Sequence, residues 1–331
     1  MTTVGAGAAA RADFERDLES LRVELRAYCY RMLGSAFDAE DAVQEALVRA
    51  WRHIDRFEGR AALRSWLYRI ATNVCLDVID RRKRRAMPAD LASPAGPDGQ
   101  LGLALAAHEW IEPVTDAWVL PADVDPGERA ALRDSVRLAF VAALQLLPAR
   151  QRAALILREV LAWRPAEIAA LLDTTVASVN SSLQRARQTM ATAVVDGPAV
   201  ADDAQQALLD RYVEAFERYD IDALVAVLHE DATWTMPPYT LWFRGHAGIR
   251  NWLARKPCGN TRYVPLAVNG GPGFAAYRAT SEPGVYEAFA VQALEVRNGA
   301  ITAVHTFLDE RLVALFGLSP TLSGPAGVAT G

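Results

Sequence analysis

Between residues 14 and 85 the apolar positions recur at helical spacing: Leu18, Leu21 and Leu25, then Val43, Leu47, Trp51 and Ile54, then Leu67, Ile70 and Val74. Residues three and four apart share one face of a helix, so this block predicts an all-helical unit. Its second helix is expected to start after the Gly34-Ser35 break, because SAFDAEDAVQE places acids where the helix dipole favours negative charge. The block ends in the run Arg81-Arg82-Lys83-Arg84-Arg85, whose self-repulsion a polyanion would relieve.

Residues 86–126 are rich in Pro, Gly, Ala and Asp and carry no periodicity, which predicts a linker. Its apolar patches at Trp110-Ile111 and Trp118-Val119-Leu120 are unusual in a free tether and are expected to dock on a neighbouring domain. Helical spacing returns over 127–196, ending in WRPAEIAALLDTTVASVNSSLQRARQ. Two short periodic segments joined by Asp173-Thr174-Thr175 make a helix-turn-helix candidate. Pro165 suits a first helical turn, and Thr174 or Thr175 can cap the second helix.

Beyond residue 203 the pattern changes class. Segments 204–219, 221–229 and 246–255 read as helices; ATWTM, RYVPLAV, GFAAYRAT, VYEAFAVQALEVRNG and AITAVHTFL read as strands. Asn298-Gly299 between alternating runs signals a tight hairpin. The expectation is an α+β domain with a curved antiparallel sheet.

Charge sharpens this division. The net charge of -5 is unevenly spread. Residues 1–85 carry 16 Lys+Arg against 13 acids and 127–199 carry 9 against 6, whereas 86–126 carry 7 acids and no Lys or Arg, and 200–331 carry 10 against 14. Two basic blocks flanking an acidic linker and followed by an acidic domain fit a chain of which only part meets nucleic acid. Cys29, Cys75 and Cys258 are widely separated among apolar neighbours and read as core residues, with no disulfide framework and no metal cluster expected. No apolar run approaches the ~20 residues that span a bilayer, and the N-terminus has no signal-peptide pattern, so a cytoplasmic protein is expected.

The segment from Tyr30 to Arg85, YRMLGSAFDAEDAVQEALVRAWRHIDRFEGRAALRSWLYRIATNVCLDVIDRRKRR, resembles region 2 of an extracytoplasmic-function (ECF) sigma factor of the sigma-70 family. LPARQRAALILREVLAWRPAEIAALLDTTVASVNSSLQRAR resembles sigma region 4. The resemblance implies a multidomain protein: region 2 as a helical bundle over 12–85, the acidic linker over 86–126, and region 4 with its helix-turn-helix over 127–196. It implies core RNA polymerase (clamp and flap regions) and promoter DNA as partners, and no cofactor or metal. The face of Asp38, Glu40, Asp41, Gln44, Glu45 and Val48 matches the family helix that docks on polymerase. Arg60, Arg64, Ser65, Arg69 and Asn73, with Arg81, Arg82 and Lys83, match the part that engages the -10 element. Trp66 is open to core packing or base stacking there. Ser178, Asn180, Ser181, Gln184, Arg185 and Arg187 point away from the Val176-Val179-Leu183 stripe and are the expected -35 readers. Many family members have Arg-Ser-Arg where this chain has Asn180-Ser181-Ser182, which implies a different -35 preference.

Residues 203–318 resemble a SnoaL-like (NTF2-like) cone, carried by LLDRYVEAFERYDIDALVAVLHEDATWTMPP and FRGHAGIRNWL. Trp234, Met236, Tyr239, Trp242, His246 and His305 are the candidate pocket residues, with core packing as the alternative for each. Cone folds serve catalysis, ligand binding or dimerisation, so the fold leaves these open. The two readings carried forward are a sigma factor, not an enzyme, modulated by its tail, and a SnoaL-type small-molecule enzyme fused to a DNA-binding module. The second needs a general base, for which His305 and Asp309 are the candidates.

Overall fold

The computed structural model describes residues 16, 18–54, 63–82, 84–96, 98–121, 124–193, 203–255 and 260–323. Arg60, Lys83 and Cys258 lie outside the described residues. The chain divides into two compact units, one from Met1–Arg85 with Ala117–Val194 and the other from Ala86–Asp116 with Val195–Gly331.

The first unit is helical. Helices α1 (Arg22–Leu33), α2 (Ala36–Arg52) and α3 (Leu63–Asp80) pack around Leu25, Tyr28, Val43, Leu67, Val74 and both Cys29 and Cys75, all buried. Gly34 takes φ 69°, a left-handed conformation that ends α1 at low cost because glycine has no Cβ. Ser35 then caps α2 by accepting from the Asp38 amide at 3.1 Å. Within the core the Tyr28 hydroxyl meets the Thr72 hydroxyl at 2.8 Å, and burial pushes the Tyr28 phenol well above its ordinary value. Trp51, expected on the apolar stripe, is instead 51% exposed, near the end of α2 where the stripe has run past its partners.

The second half of this unit comprises α4 (Pro126–Asp134), α5 (Leu138–Gln145), α6 (Ala149–Leu155), α7 (Pro165–Leu171) and α8 (Val176–Ala193). Helices α7 and α8 form the expected helix-turn-helix, with Pro165 at the start of α7. Asp173 turns the chain at φ 51°, and the Thr175 hydroxyl accepts from the Ser178 amide at 3.2 Å. Val179, Leu183, Ala186 and Met190 form the buried stripe of α8; Val176 is 42% exposed and stands outside it.

The second unit is built on one sheet in the order β2-β1-β6-β5-β4-β3, with β7 also pairing β5. The strands are β1 (Leu228–Thr235), β2 (Trp242–Arg244), β3 (Thr261–Val268), β4 (Gly271–Ala279), β5 (Val285–Arg297), β6 (Ala300–Phe307) and β7 (Thr321–Ser323). Helices α9 (Asp203–Glu217), α10 (Ile221–Ala226) and α11 (Gly245–Arg255) accompany it, with α12 (Arg311–Leu315) after β6. The architecture is α+β as expected, with two differences. The sheet is mixed, because β1 runs parallel to β6, and β1 begins at Leu228, inside the segment read as a helix. HEDA carries polar residues that blur period-2 alternation, so the strand start was hidden.

Asn298-Gly299 makes the predicted hairpin, with φ 51° and 75°. The β3–β4 connection is a second turn of the same kind at Asn269-Gly270, with φ 52° and 71°. Residues 86–116 pack on this unit instead of spanning freely. Trp110, Ile111 and Val114 are buried, Val114 and Asn269 exchange two hydrogen bonds at 3.0 Å, and Gly270 donates to Asp116 at 2.7 Å. Val119 and Leu120 are buried in the helical unit, where Arg26 lies 4.5 Å from the Trp118 ring centroid.

Candidate nucleic-acid interface

Three polar surfaces of the helical unit carry the residues singled out in the sequence. On α2, Asp41, Gln44 and Glu45 are exposed beside Val48 at 43% exposure. Asp38 and Glu40 belong to the same helix but turn toward their own unit. Asp38 is held by Arg82 and by Arg85 at 2.6 Å, and Glu40 by Arg26 at 2.6 Å and Arg22 at 3.1 Å. Burial alone would raise the Asp38 carboxyl; the two guanidiniums outweigh it and hold the group below its ordinary value. The open part of the α2 face is therefore Asp41, Gln44, Glu45 and Val48.

On α3, Leu67, Tyr68, Ala71, Val74 and Cys75 face the core, so Arg64, Ser65, Arg69 and Asn73 fall on the opposite, exposed side. Trp66 is half-buried between the two. Arg64 pairs with Glu24 at 3.0 Å and lies 5.4 Å from the Tyr68 ring and 6.0 Å from the Trp163 ring. Arg69 donates to the Ala170 carbonyl of α7 at 2.7 Å. The two basic residues of this face thus contact the helix-turn-helix half of their own unit. Arg81 is exposed just beyond α3.

On α8, Ser178, Asn180, Ser181, Gln184, Arg185 and Arg187 are all exposed, as expected from a helix buried on the Val179-Leu183 side. Arg185 donates to the Ser181 hydroxyl at 2.7 Å, which orients its head along the helix. Arg187 pairs with Glu159 at 2.6 Å. A helix with Asn, Gln and Arg on one open face has the donors and acceptors that base edges and phosphates require.

Two buried arginines tie the halves of this unit, and neither stands out in any sequence pattern. Arg31, 1% exposed, donates to the Ser135 hydroxyl at 2.6 Å and to its carbonyl at 3.2 Å. Arg152, 4% exposed, donates to the Met32 carbonyl, to the Gln145 side chain at 2.5 Å, and to the carbonyls of Gln145 and Leu147 at 3.2 and 3.1 Å. Burial lowers both guanidiniums to about 10.

The six candidate pocket residues of the sheet unit are divided between the two faces of the sheet and its edges. Trp234 and Met236 belong to a core that Tyr212, Phe216, Phe243 and Phe274 fill. The Trp242 indole donates to the Ala92 carbonyl at 2.8 Å, His246 meets the Leu228 carbonyl at 3.1 Å, and Tyr239 packs half-buried at the edge of the core. His305 pairs in register with Thr235, one position along from Trp234 and therefore on the opposite face of the sheet. Its ring meets the Thr235 hydroxyl at 2.9 Å and Glu295 at 3.6 Å. Strand alternation separates what a list of polar and aromatic residues had grouped. Asp309 follows β6 and is paired with Arg311 at 2.5 Å. On the core side, Tyr212, Gln292 and Thr306 form a buried hydrogen-bond chain of 3.0 and 3.2 Å, missed because each is unremarkable in sequence. A cavity of about 300 Å³ lies elsewhere in this unit, among Trp110, Ile111, Pro238, Phe307 and Leu312.

Residues 18–85 match the family description Sigma-70 region 2, residues 137–190 match Sigma-70, region 4, and residues 209–304 match the SnoaL-like domain. Over 322 residues the chain is 44% identical to the ECF RNA polymerase sigma factor SigG of Mycobacterium tuberculosis, covering 94% of this chain and 85% of that protein. The chain belongs to the ECF RNA polymerase sigma factors. Like other ECF sigma factors it is a subunit of promoter recognition and transcription initiation. SigW of Bacillus subtilis is 33% identical over 162 residues, which is 49% of this chain and 78% of SigW. The crystal structure of the ECF sigma factor SigJ of M. tuberculosis shares the fold, with a TM-score of 0.60 at 23% identity over 91% of this chain and 98% of that one. The helical regions followed by an NTF2-like sheet domain are therefore an arrangement this ECF sigma factor shares with a solved relative.

Proposed function

We propose that Asp41, Gln44, Glu45 and Val48 dock this sigma factor on core RNA polymerase, that the exposed side of α3 with Arg81 and Arg82 engages the -10 element, and that the exposed face of α8 reads the -35 element. The observation that carries this reading is the division of each helix into a buried apolar stripe and an open polar face, with three such faces on one helical unit. The Arg69 bond to Ala170 supports a closed resting arrangement, in which α3 is occupied by the unit's own helix-turn-helix. Centres of -10 and -35 elements lie about 25 base pairs, hence ~85 Å, apart at ~34 Å per turn. A compact unit of this size has a radius of gyration of only about 15 Å, so the halves must part to read both.

The sheet unit is assigned a modulating role, without turnover of its own. Its core side is filled by aromatic side chains, and the candidate bases His305 and Asp309 are engaged by Glu295 and Arg311. Its hold on residues 86–116 supports control through the linker. Such a factor works where polymerase and DNA are, in the cytoplasm.

Run-off transcription by core polymerase with the purified full-length chain tests the reading. The wild-type chain is expected to support specific transcripts, and Asp41→Lys with Glu45→Lys to cut them at least tenfold while leaving duplex DNA binding intact. Absence of transcripts from the wild type, or equal output from the double variant, would reject it.

A further inference from the structure

The helical unit holds a cavity of about 360 Å³ between the end of α3 and the α5–α6 connection. Its charged walls are four arginines, Arg82, Arg84, Arg85 and Arg152, against a single acid, Asp38. That acid is already engaged by Arg82 and Arg85. Arg152 is almost fully buried, every acceptor on its terminal nitrogens is neutral, and its Nε–H meets no acceptor among the described residues. Arg84 makes no ion pair among the described residues and lies close enough for its charge to oppose that of Arg152. Two like charges facing one recess repel more strongly there than in water, and an anion held by hydrogen bonds from Arg84 relieves that repulsion. The rest of the wall is apolar, including Val78, Ile79 and Leu147.

We propose that this cavity binds a phosphorylated small molecule, its phosphate on Arg84 in the field of the buried Arg152 charge and its organic part against Val78, Ile79 and Leu147. Guanidinium forks suit phosphate oxygens, and the volume falls in the range of small-molecule sites. A DNA backbone is the poorer fit, because Arg152 and Arg85 are 4% and 7% exposed and lie below the surface that a stiff duplex reaches. The cavity walls come from both halves of the unit, Val78 to Arg85 from one and Gln145 to Arg152 from the other. A bound phosphate therefore adds a tie across the seam. That consequence for opening rests on the function proposed above; the binding itself does not.

The test is calorimetric titration of the full-length chain with ADP and with pyrophosphate at fixed ionic strength, without polymerase. The wild type is expected to bind ADP saturably below millimolar concentration and pyrophosphate more weakly. Arg84→Glu, at an exposed position, should weaken ADP at least tenfold, and Arg52→Ala on α2 should not. No saturable binding by the wild type, equal affinity in Arg84→Glu, or equal loss in Arg52→Ala would overturn the site. Loss of duplex binding in Arg84→Glu with no response to either small probe would assign these cations to DNA and likewise overturn it. Because transcription is not the readout, failure here is distinct from failure as a sigma factor.

Discussion

Asn180 and Arg187 share one face of α8 and differ in what they can recognise. Asn offers a donor and acceptor matched to adenine, whereas Arg187, balanced by Glu159, offers a charge of the kind that phosphates attract. Asn180→Ala is expected to cost about 1–3 kcal/mol on the preferred -35 sequence and little on others, while Arg187→Ala weakens all duplexes and lowers the salt slope by about 1. A binding screen over -35 variants at two salt concentrations checks both. Asp38 makes a separate prediction. Its carboxyl is depressed in the folded chain, so its stabilising effect is present above the unfolded value near 3.8 and is lost as pH falls through the lower folded value. Asp38→Asn should destabilise at pH 7 by about 2 kcal/mol, with the gap to wild type closing only below about pH 4, measured by urea unfolding across pH. The sequence marked Asp38 as one more acid on a helix face; its partners Arg82 and Arg85 lie 44 and 47 positions away, beyond any periodicity argument.

Asn269-Gly270 illustrates how turns can do more than reverse a strand. Asn tolerates φ 52°, and in that conformation its side chain accepts from the Val114 amide while its own amide donates back. Asn269→Ala should lose both the conformation and the side-chain acceptor, about 1–2 kcal/mol together, and speed hydrogen exchange at Val114–Asp116. Asn269→Gly restores the conformation alone and is expected to fall between; exchange unchanged in both variants would show that the turn does not hold the linker. Helices were the most legible elements, since a 3.6-residue stripe survives in α3 and α8 with few exceptions. Strand β1 was half hidden by its polar start, and β2 and β7 are three residues each, too short to show alternation. The apolar patches of the linker were visible as docking segments; which unit each joins depends on contacts with Asn269 and Arg26, which no local pattern encodes. Strand parity, equally non-local, puts His305 and Trp234 on opposite faces of the sheet.

For the chain as a whole, the order of its parts was readable because composition and charge change at each boundary, whereas the closure of the helical unit was not. Opening has a direct measure. Dyes on Arg52→Cys and Gln188→Cys, both exposed, should report high transfer in the free chain and a drop when core polymerase is added. Transfer that stays constant on polymerase binding would mean that the halves do not part. How easily they part depends on the chemistry of the seam around Arg31 and Arg152. An oily seam, once split, presents surface that water rejects and other chains stick to. This one is fastened in part by guanidiniums on a carbonyl and a hydroxyl, and each such charged bond exchanges for bonds to water at a net cost of about 1.5–3 kcal/mol. Each parted face would carry polar groups that water satisfies, exposing less adhesive surface than a wholly apolar seam.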